Sequence, residues 1–301
     1  MAPWSRAPSF REPSPSQWAL CCSRRHFRPF GAIVYTVPDE IYFQNFDSLP
    51  LSPENTSLGT TANAAGWIDD SAMPAVNQIS IPGWYLYHPT DQSAQEGGVN
   101  GHQRFRVGPG TANTGSFWSF GASGSTDRAL GDVGSTTLGA NGSDIYIGLR
   151  ITNGSGEILD QITVSYNGEQ WRDGGAATPV PQSMTFGWST SALSINSGGF
   201  TDVPALGFTS PVFTNTSTGA AVDGNSVGLV PVQALTISGV NWLPGTDLWL
   251  RWIDISNPGN DHGLAIDDLN FWASAIPEPS VAAMLAFGTL GLIRRRRNRF
   301  G

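Results

Sequence analysis

Ile145-Tyr146-Ile147-Gly148-Leu149-Arg150-Ile151 alternates aliphatic side chains with Tyr, Gly and Arg. Successive side chains of an extended chain point to opposite faces, so this stretch predicts a strand with one face in a core and one facing outward. The pattern recurs on both sides of it. Ile162, Val164 and Tyr166 alternate with Gln161, Thr163 and Ser165; Met184, Phe186 and Trp188 alternate across Thr185 and Gly187; and Leu248, Leu250 and Trp252 alternate across Trp249 and Arg251. Between these runs stand turn-forming clusters: Asn153-Gly154-Ser155-Gly156, Asp173-Gly174-Gly175, Asn196-Ser197-Gly198-Gly199, Asp223-Gly224-Asn225 and Asn257-Pro258-Gly259-Asn260. Such residues favour turns because Gly tolerates positive φ, Pro fixes φ, and Asn and Asp bond their own backbone. No 12-residue window of this region carries a clean helical stripe, so the fold class expected is all-β: an antiparallel β-sandwich of jelly-roll-like type. Residues 89–143, rich in Gly, Ser, Thr and Asn, read as long loops.

Both ends differ from the middle. All sixteen basic residues are Arg, with five before Thr36 and five between Arg294 and Arg299. The body, residues 36–275, therefore sets six Arg against twenty-two acidic residues. A body so acidic repels nucleic acid, and no nucleic-acid partner is expected. The two cysteines, Cys21 and Cys22, are adjacent and lie outside the body, so they build no disulfide framework. Residues 1–35 scatter Arg among broken apolar runs and offer no 7–15-residue apolar core of a signal peptide. They are expected to be a disordered segment or a wrongly assigned start.

The C-terminal 26 residues are the most specific stretch. Ile276-Pro277-Glu278-Pro279-Ser280 precedes an apolar run over 281–293, followed by Arg294, Arg295, Arg296 and Arg297. Thirteen residues of helix span about 20 Å, short of the roughly 30 Å hydrocarbon core. Basic residues beside an apolar segment stay on the cytoplasmic side. This order resembles the PEP-CTERM sorting signal of Gram-negative, biofilm-forming bacteria. The resemblance implies a short apolar transmembrane helix held transiently in the inner membrane, processing by an exosortase-type membrane protease, and release or display at the cell surface. An ordinary short C-terminal anchor is the alternative.

The body resembles secreted bacterial β-sandwich modules, through Phe46-Asp47-Ser48-Leu49-Pro50, Asp127-Arg128-Ala129-Leu130-Gly131, Gly168-Glu169-Gln170-Trp171-Arg172 and Ile266-Asp267-Asp268-Leu269. That last strand is also similar to the closing strand of jelly-roll carbohydrate-binding and MAM-type modules. Neither likeness implies catalytic residues.

Three constellations remain. Asp254, Ser256, Asn257, Asn260, Asp261, Asp267 and Asp268 form the densest oxygen-donor cluster, suited to a structural calcium ion; turn formation is the plainer reading. Glu169, Trp171 and Arg172 combine groups able to stack on and hydrogen-bond a sugar, with a packed ion pair at a sheet edge as the alternative. Gly224-Asn225-Ser226-Val227-Gly228 spells a nucleophile elbow but lacks the alternation of strand and helix that the elbow needs. The four His show no zinc spacing. The chain is thus expected to be an exported, non-catalytic surface or matrix protein. The rivals are a carbohydrate-binding module, tested at Trp171 or Trp84, and a secreted polysaccharide hydrolase with two carboxylates in one cleft.

Overall fold

A computed structural model describes residues 32–52, 54–55, 81–87, 105–134, 144–214, 218–255, 257 and 259–275. The sorting-tag residues Pro277, Glu278 and Pro279, the apolar run 281–293 with its expected helix, and Arg294 to Arg297 lie outside them. Fifteen strands are described: β1 Ile33–Tyr35, β2 Tyr42–Gln44, β3 Trp84–Tyr87, β4 Phe105–Gly108, β5 Ser116–Phe120, β6 Ala129–Val133, β7 Ile145–Asn153, β8 Leu159–Asp173, β9 Ser183–Ser189, β10 Thr201–Asp202, β11 Phe208–Thr209, β12 Ala220–Ala221, β13 Leu229–Trp242, β14 Asp247–Asp254 and β15 Gly263–Ala275. Among the described residues the helical element is a single 3-10 turn at Pro204–Leu206.

The strands form two sheets. The seven-stranded sheet runs β1-β7-β14-β9-β10, with β3 also on β7 and β11 on β9; the eight-stranded sheet runs β12-β8-β15-β6-β5-β4, with β13 on β8 and β2 on β15. Consecutive strands change sheet at β1–β2, β2–β3, β3–β4, β6–β7, β7–β8, β8–β9, β11–β12, β13–β14 and β14–β15. These crossings make a sandwich rather than a series of hairpins. Pairing is antiparallel except for β1 with β7 and β4 with β5, which are parallel.

Alternation places the core. Ile145, Ile147, Leu149 and Ile151 of β7 and Leu248, Leu250 and Trp252 of β14 point inward from one sheet; Ile162, Val164 and Tyr166 of β8 meet them from the other. Trp252 sits where the sheets face each other, stacked on Trp84 at 5.6 Å and edge-on to Phe186 at 5.2 Å and Tyr166 at 5.7 Å.

Two sequence expectations change, at residues 89–143 and at the start of the body. The described part of the stretch 89–143, residues 105–134, contributes β4, β5 and β6 to the eight-stranded sheet. At Gly131 a Cβ would run into the backbone carbonyl of Leu264 on neighbouring β15. The Ile-Asp-Asp ending lies in β15, as expected, and carries a bulge. Asp268 has φ of 48° and lies within a register shift of β15 against β8, so Leu269 and Phe271 return to the core after Ile266.

The body also begins before residue 36. Buried Tyr35 donates its hydroxyl to the carbonyl of Glu40 at 2.8 Å and accepts the amide of Ala273 at 3.0 Å, fastening the chain start to β15. Replacing Tyr35 with Phe is therefore expected to cost about 1–3 kcal/mol, because the Ala273 amide loses its partner. Urea unfolding checks this; a change below about 0.5 kcal/mol would show the contact to be incidental.

Candidate functional site

The outward side chains of the seven-stranded sheet form an aromatic face. Tyr85 and Tyr87 come from β3, Tyr146 from β7, and Trp249 and Arg251 from β14; each alternates with an inward core residue. Register sets Tyr87 opposite Tyr146, and Tyr85 and Arg251 on either side of Gly148. The segment between β9 and β10 folds over part of this face, with Ala192 and Ile195 covering Tyr85 and Trp249. Gly148 permits that approach, since a Cβ there would stand 2.7 Å from the Ile195 side chain. Ser189 and Ser197 hold the segment by accepting backbone amides of Ala192 at 2.9 Å and Leu193 at 3.1 Å.

What stays half-buried is a row of rings with a cation among them. Tyr87 and Tyr146 lie 5.6 Å apart, and the Arg251 guanidinium lies 5.2 Å from the Tyr146 ring and 3.6 Å from that of Phe200. Arg251 donates to the carbonyls of Ile195 at 3.0 Å and Ser197 at 3.3 Å, which fixes it over the rings. Burial lowers its pKa, while Tyr146, Asp202 and Asp144 act in the opposite direction. Farther along β7, past the part of the face covered by Ala192 and Ile195, Arg150 bonds Asp247 through Nε at 2.8 Å, and Thr152 donates to the same carboxylate at 2.6 Å. The result is a platform of flat rings with a guanidinium among them, a mixture that recognises a ligand with apolar faces and polar rims.

Glu169, Trp171 and Arg172 are elsewhere. They lie inside β8 rather than after a strand, with Glu169 and Trp171 only 1% and 2% exposed. Trp171 donates its indole N–H to Glu169 at 2.7 Å, stacks on Phe120, and packs against Gly224, where any side chain would collide with the indole. That packing explains the glycine of the elbow-like motif. Arg172 donates to the carbonyls of Gly110 at 3.0 Å and Thr111 at 3.1 Å and makes no ion pair with Glu169 among the described contacts. These three side chains hold the covered face of the eight-stranded sheet. Trp84, the other aromatic side chain expected to meet sugar, is in the core.

The expected calcium ligands separate into two groups. Asp254, at the end of β14, meets Asp132 of β6, with Asp261 nearby; Asn257 and Asn260 instead bond the carbonyls of Ile255 at 2.6 Å and Gly175 at 2.9 Å. Asp267 lies on the outward face of the other sheet near Glu169, and Asp268 takes a hydrogen bond from Asn167 at 3.1 Å. Burial raises these carboxyls: Asp132 and Glu169 to about 7, Asp261 to about 6 and Asp267 to about 9, with Asp254 also raised. Neighbouring carboxylates add to the rise, Glu169 chief among them at Asp267. Among the described residues no three His, Cys, Asp or Glu side chains converge as a metal-binding group. Among the described residues, the pairs Asp132–Asp254 and Glu169–Asp267 are buried.

One arrangement was invisible in sequence. His262 Nδ1 lies 3.0 Å from Ser210 Oγ, and its Nε2 lies 3.4 Å from Asp173, in the order of a nucleophilic triad. Ser210, His262 and Asp173 are 2%, 4% and 3% exposed. Ser210 accepts the amide of Gln182 at 2.9 Å, Gln170 shares the same imidazole nitrogen at 3.2 Å, and Thr214 donates to Asp173 through both its amide and its hydroxyl. Burial lowers the pKa of His262, against the pull of Asp173. A serine sealed from solvent and already committed to a backbone amide cannot reach a substrate carbonyl. The group is an internal polar network joining β8, β15 and the β11 segment.

No protein-family model and no curated protein matches the chain. Among solved structures it is similar to the K1 cleaved adhesin domain of Lys-gingipain from Porphyromonas gingivalis, at 13% identity over 78% of this chain and 99% of that one, with a TM-score of 0.33. A family 11 carbohydrate-binding module from Clostridium thermocellum, in complex with a mixed-linked tetrasaccharide, shares 11% identity over 73% and 99%, with a TM-score of 0.23. The CBM22-1 xylan-binding domain from Paenibacillus barcinonensis shares 10% over 54% and 82%, with a TM-score of 0.28. The two-sheet architecture and the aromatic face described above are properties of this chain's own geometry.

Proposed function

We propose that this chain is an exported, non-catalytic bacterial surface or matrix protein whose β-sandwich binds polysaccharide on the outer face of its seven-stranded sheet. The observation that carries the binding reading is the half-buried row Tyr87, Tyr146, Arg251 and Phe200. Sugar rings stack their C–H faces on aromatic rings and give their hydroxyls to flanking charged and hydroxyl groups. Here the charged group among the rings is Arg251, beside the hydroxyl-bearing rings of Tyr87 and Tyr146. A glycan array probed with the purified protein tests it: binding to a defined set of polysaccharides supports the reading, and no binding to any class contradicts it.

Export rests on a separate observation, the Pro277-Glu278-Pro279 motif with its apolar run and Arg294 to Arg297. In this reading an exosortase-type membrane protease removes the tail after the apolar segment has paused in the inner membrane with the Arg cluster on the cytoplasmic side. The extracellular protein is then expected to end near residue 276, and Glu278→Ala to leave uncut precursor in the inner membrane. Mass spectrometry of the C-terminus checks this; intact Gly301 on released protein would contradict it.

A further inference from the structure

The buried network of Ser210, His262 and Asp173 also contains the group that a nucleophilic triad acts on, a carbonyl. Gln170 of β8 is fully buried. Its neighbours Glu169 and Trp171 bond each other on the outward side of the strand, and its own carboxamide turns the opposite way. There the carboxamide nitrogen lies 3.2 Å from His262 Nδ1, the same atom that stands 3.0 Å from Ser210 Oγ. Hydroxyl and carboxamide converge on one imidazole nitrogen. The carboxamide oxygen accepts the backbone amide of Val212 at 2.8 Å, and its nitrogen donates to the carbonyls of Val212 at 2.7 Å and Arg172 at 3.1 Å, which clamps the group in place.

Each part has a role in acyl transfer. The Gln182 amide occupies one lone pair of Ser210 Oγ and leaves the hydroxyl proton free for the imidazole. Nε2 of His262 faces Asp173, whose carboxylate is held by the amide and hydroxyl of Thr214. That orientation places the ring proton on Nε2 and leaves Nδ1 as the acceptor. Burial favours the neutral ring that a general base requires. The Val212 N–H stands against the oxygen on which negative charge develops during attack. All four side chains are sealed from the solvent that would hydrolyse an acyl group. The seal that denies Ser210 an outside substrate protects its reaction with an inside one.

We propose that Ser210 and Gln170 form an intramolecular ester that joins the two sheets covalently. Ser210 Oγ attacks the side-chain carbonyl carbon of Gln170 while its proton passes to His262 Nδ1. The C–N bond then breaks, and the proton is handed to the leaving nitrogen, which departs as ammonia. One amide and one hydroxyl give one ester and one ammonia, with no change of oxidation state, and the reaction runs once per chain. Protonation and escape of ammonia at neutral pH keep it from reversing. Ser210 directly follows β11 of the seven-stranded sheet and Gln170 lies in β8 of the eight-stranded one, so the bond closes a loop that contains β9 and β10. None of these residues belongs to the aromatic face, so the ester and glycan binding are tested separately.

Intact-mass measurement and tryptic mapping of the purified full-length chain test the proposal. The parent is expected to be lighter than its sequence by one ammonia. Trypsin cuts after Arg172, between the two linked residues, so the denatured digest should contain residues 151–172 joined to residues 173–251. Hydroxylamine, which cleaves esters, should separate that pair. Ser210→Ala, His262→Ala and Gln170→Glu are each expected to lose the joined pair completely. The parent protein alone decides the matter if a variant folds poorly: full sequence mass with the two peptides separate overturns the proposal. A mass deficit that survives in Ser210→Ala overturns it as well, because the ammonia would then have left from another site.

Discussion

Replacing Trp252 with Ala is expected to remove about 3–5 kcal/mol of stability, the usual cost of deleting a fully buried aromatic side chain. Trp252 is completely buried and touches rings from both sheets: Trp84 and Phe186 in its own, Tyr166 in the other. The remaining rings are fixed by their strands and cannot all collapse into the space, so a cavity penalty adds to the lost transfer free energy. Against a total stability of about 5–15 kcal/mol, this one substitution takes a large share. The urea midpoint should fall steeply with little change in the slope of the transition. A control at Leu193, 93% exposed, should stay within about 0.5 kcal/mol of the parent when changed to Ala. A Trp252→Ala cost as small as the control's would mean that the sheets are not packed through this residue.

A second large effect is a loss of stability with rising pH, driven by buried acids. The carboxyl of Asp267 is raised to about 9 and that of Glu169 to about 7, burial being the main cause in both. In the unfolded chain these groups titrate near pH 4. Between those limits the native state holds protons that the unfolded state has released, so the contribution of these two acids to stability is fully present at and below about pH 4. It then declines as pH rises through 7 and on toward 9. Each such group removes up to about 1.4 kcal/mol per pH unit in its window. Asp267→Asn keeps the shape without the titration and is expected to flatten the profile between pH 5 and 9. The profile is measured as denaturant stability across that range. Stability that rises over the same interval would reverse the sign and contradict the burial of these acids as neutral groups.

Much of the fold was legible because inward and outward residues differ in kind. Ile145 to Ile151, Met184 to Trp188 and Leu248 to Trp252 alternate aliphatic or aromatic with polar or small residues, and all three lie in strands with the expected side inward. The stretch 89–143 was not legible, because β5 and β6 are covered on both faces and Ser116-Phe117-Trp118-Ser119-Phe120 has no polar face to mark its period. Covering misled the site reading as well. Glu169, Trp171 and Arg172 carry the chemistry of a sugar contact, but loops bring Gly110 and Gly224 over them, and sequence shows no such covering. The aromatic face was missed for the opposite reason. Tyr87, Tyr146 and Phe200 are far apart in the chain, and their convergence depends on β3 joining β7 and on the return of the β9–β10 segment.

The central claim is that polysaccharide binds across Tyr87, Tyr146 and Phe200, and titration with an oligosaccharide chosen from the glycan array tests it most directly. Tyr87→Ala and Tyr146→Ala shorten half-buried outward rings and leave the inward core untouched, so both variants should keep the parent's cooperative unfolding. Each is expected to weaken binding about tenfold or more, equivalent to about 1.4 kcal/mol. Parent-level affinity in both folded variants would contradict the assignment of this face as the binding site.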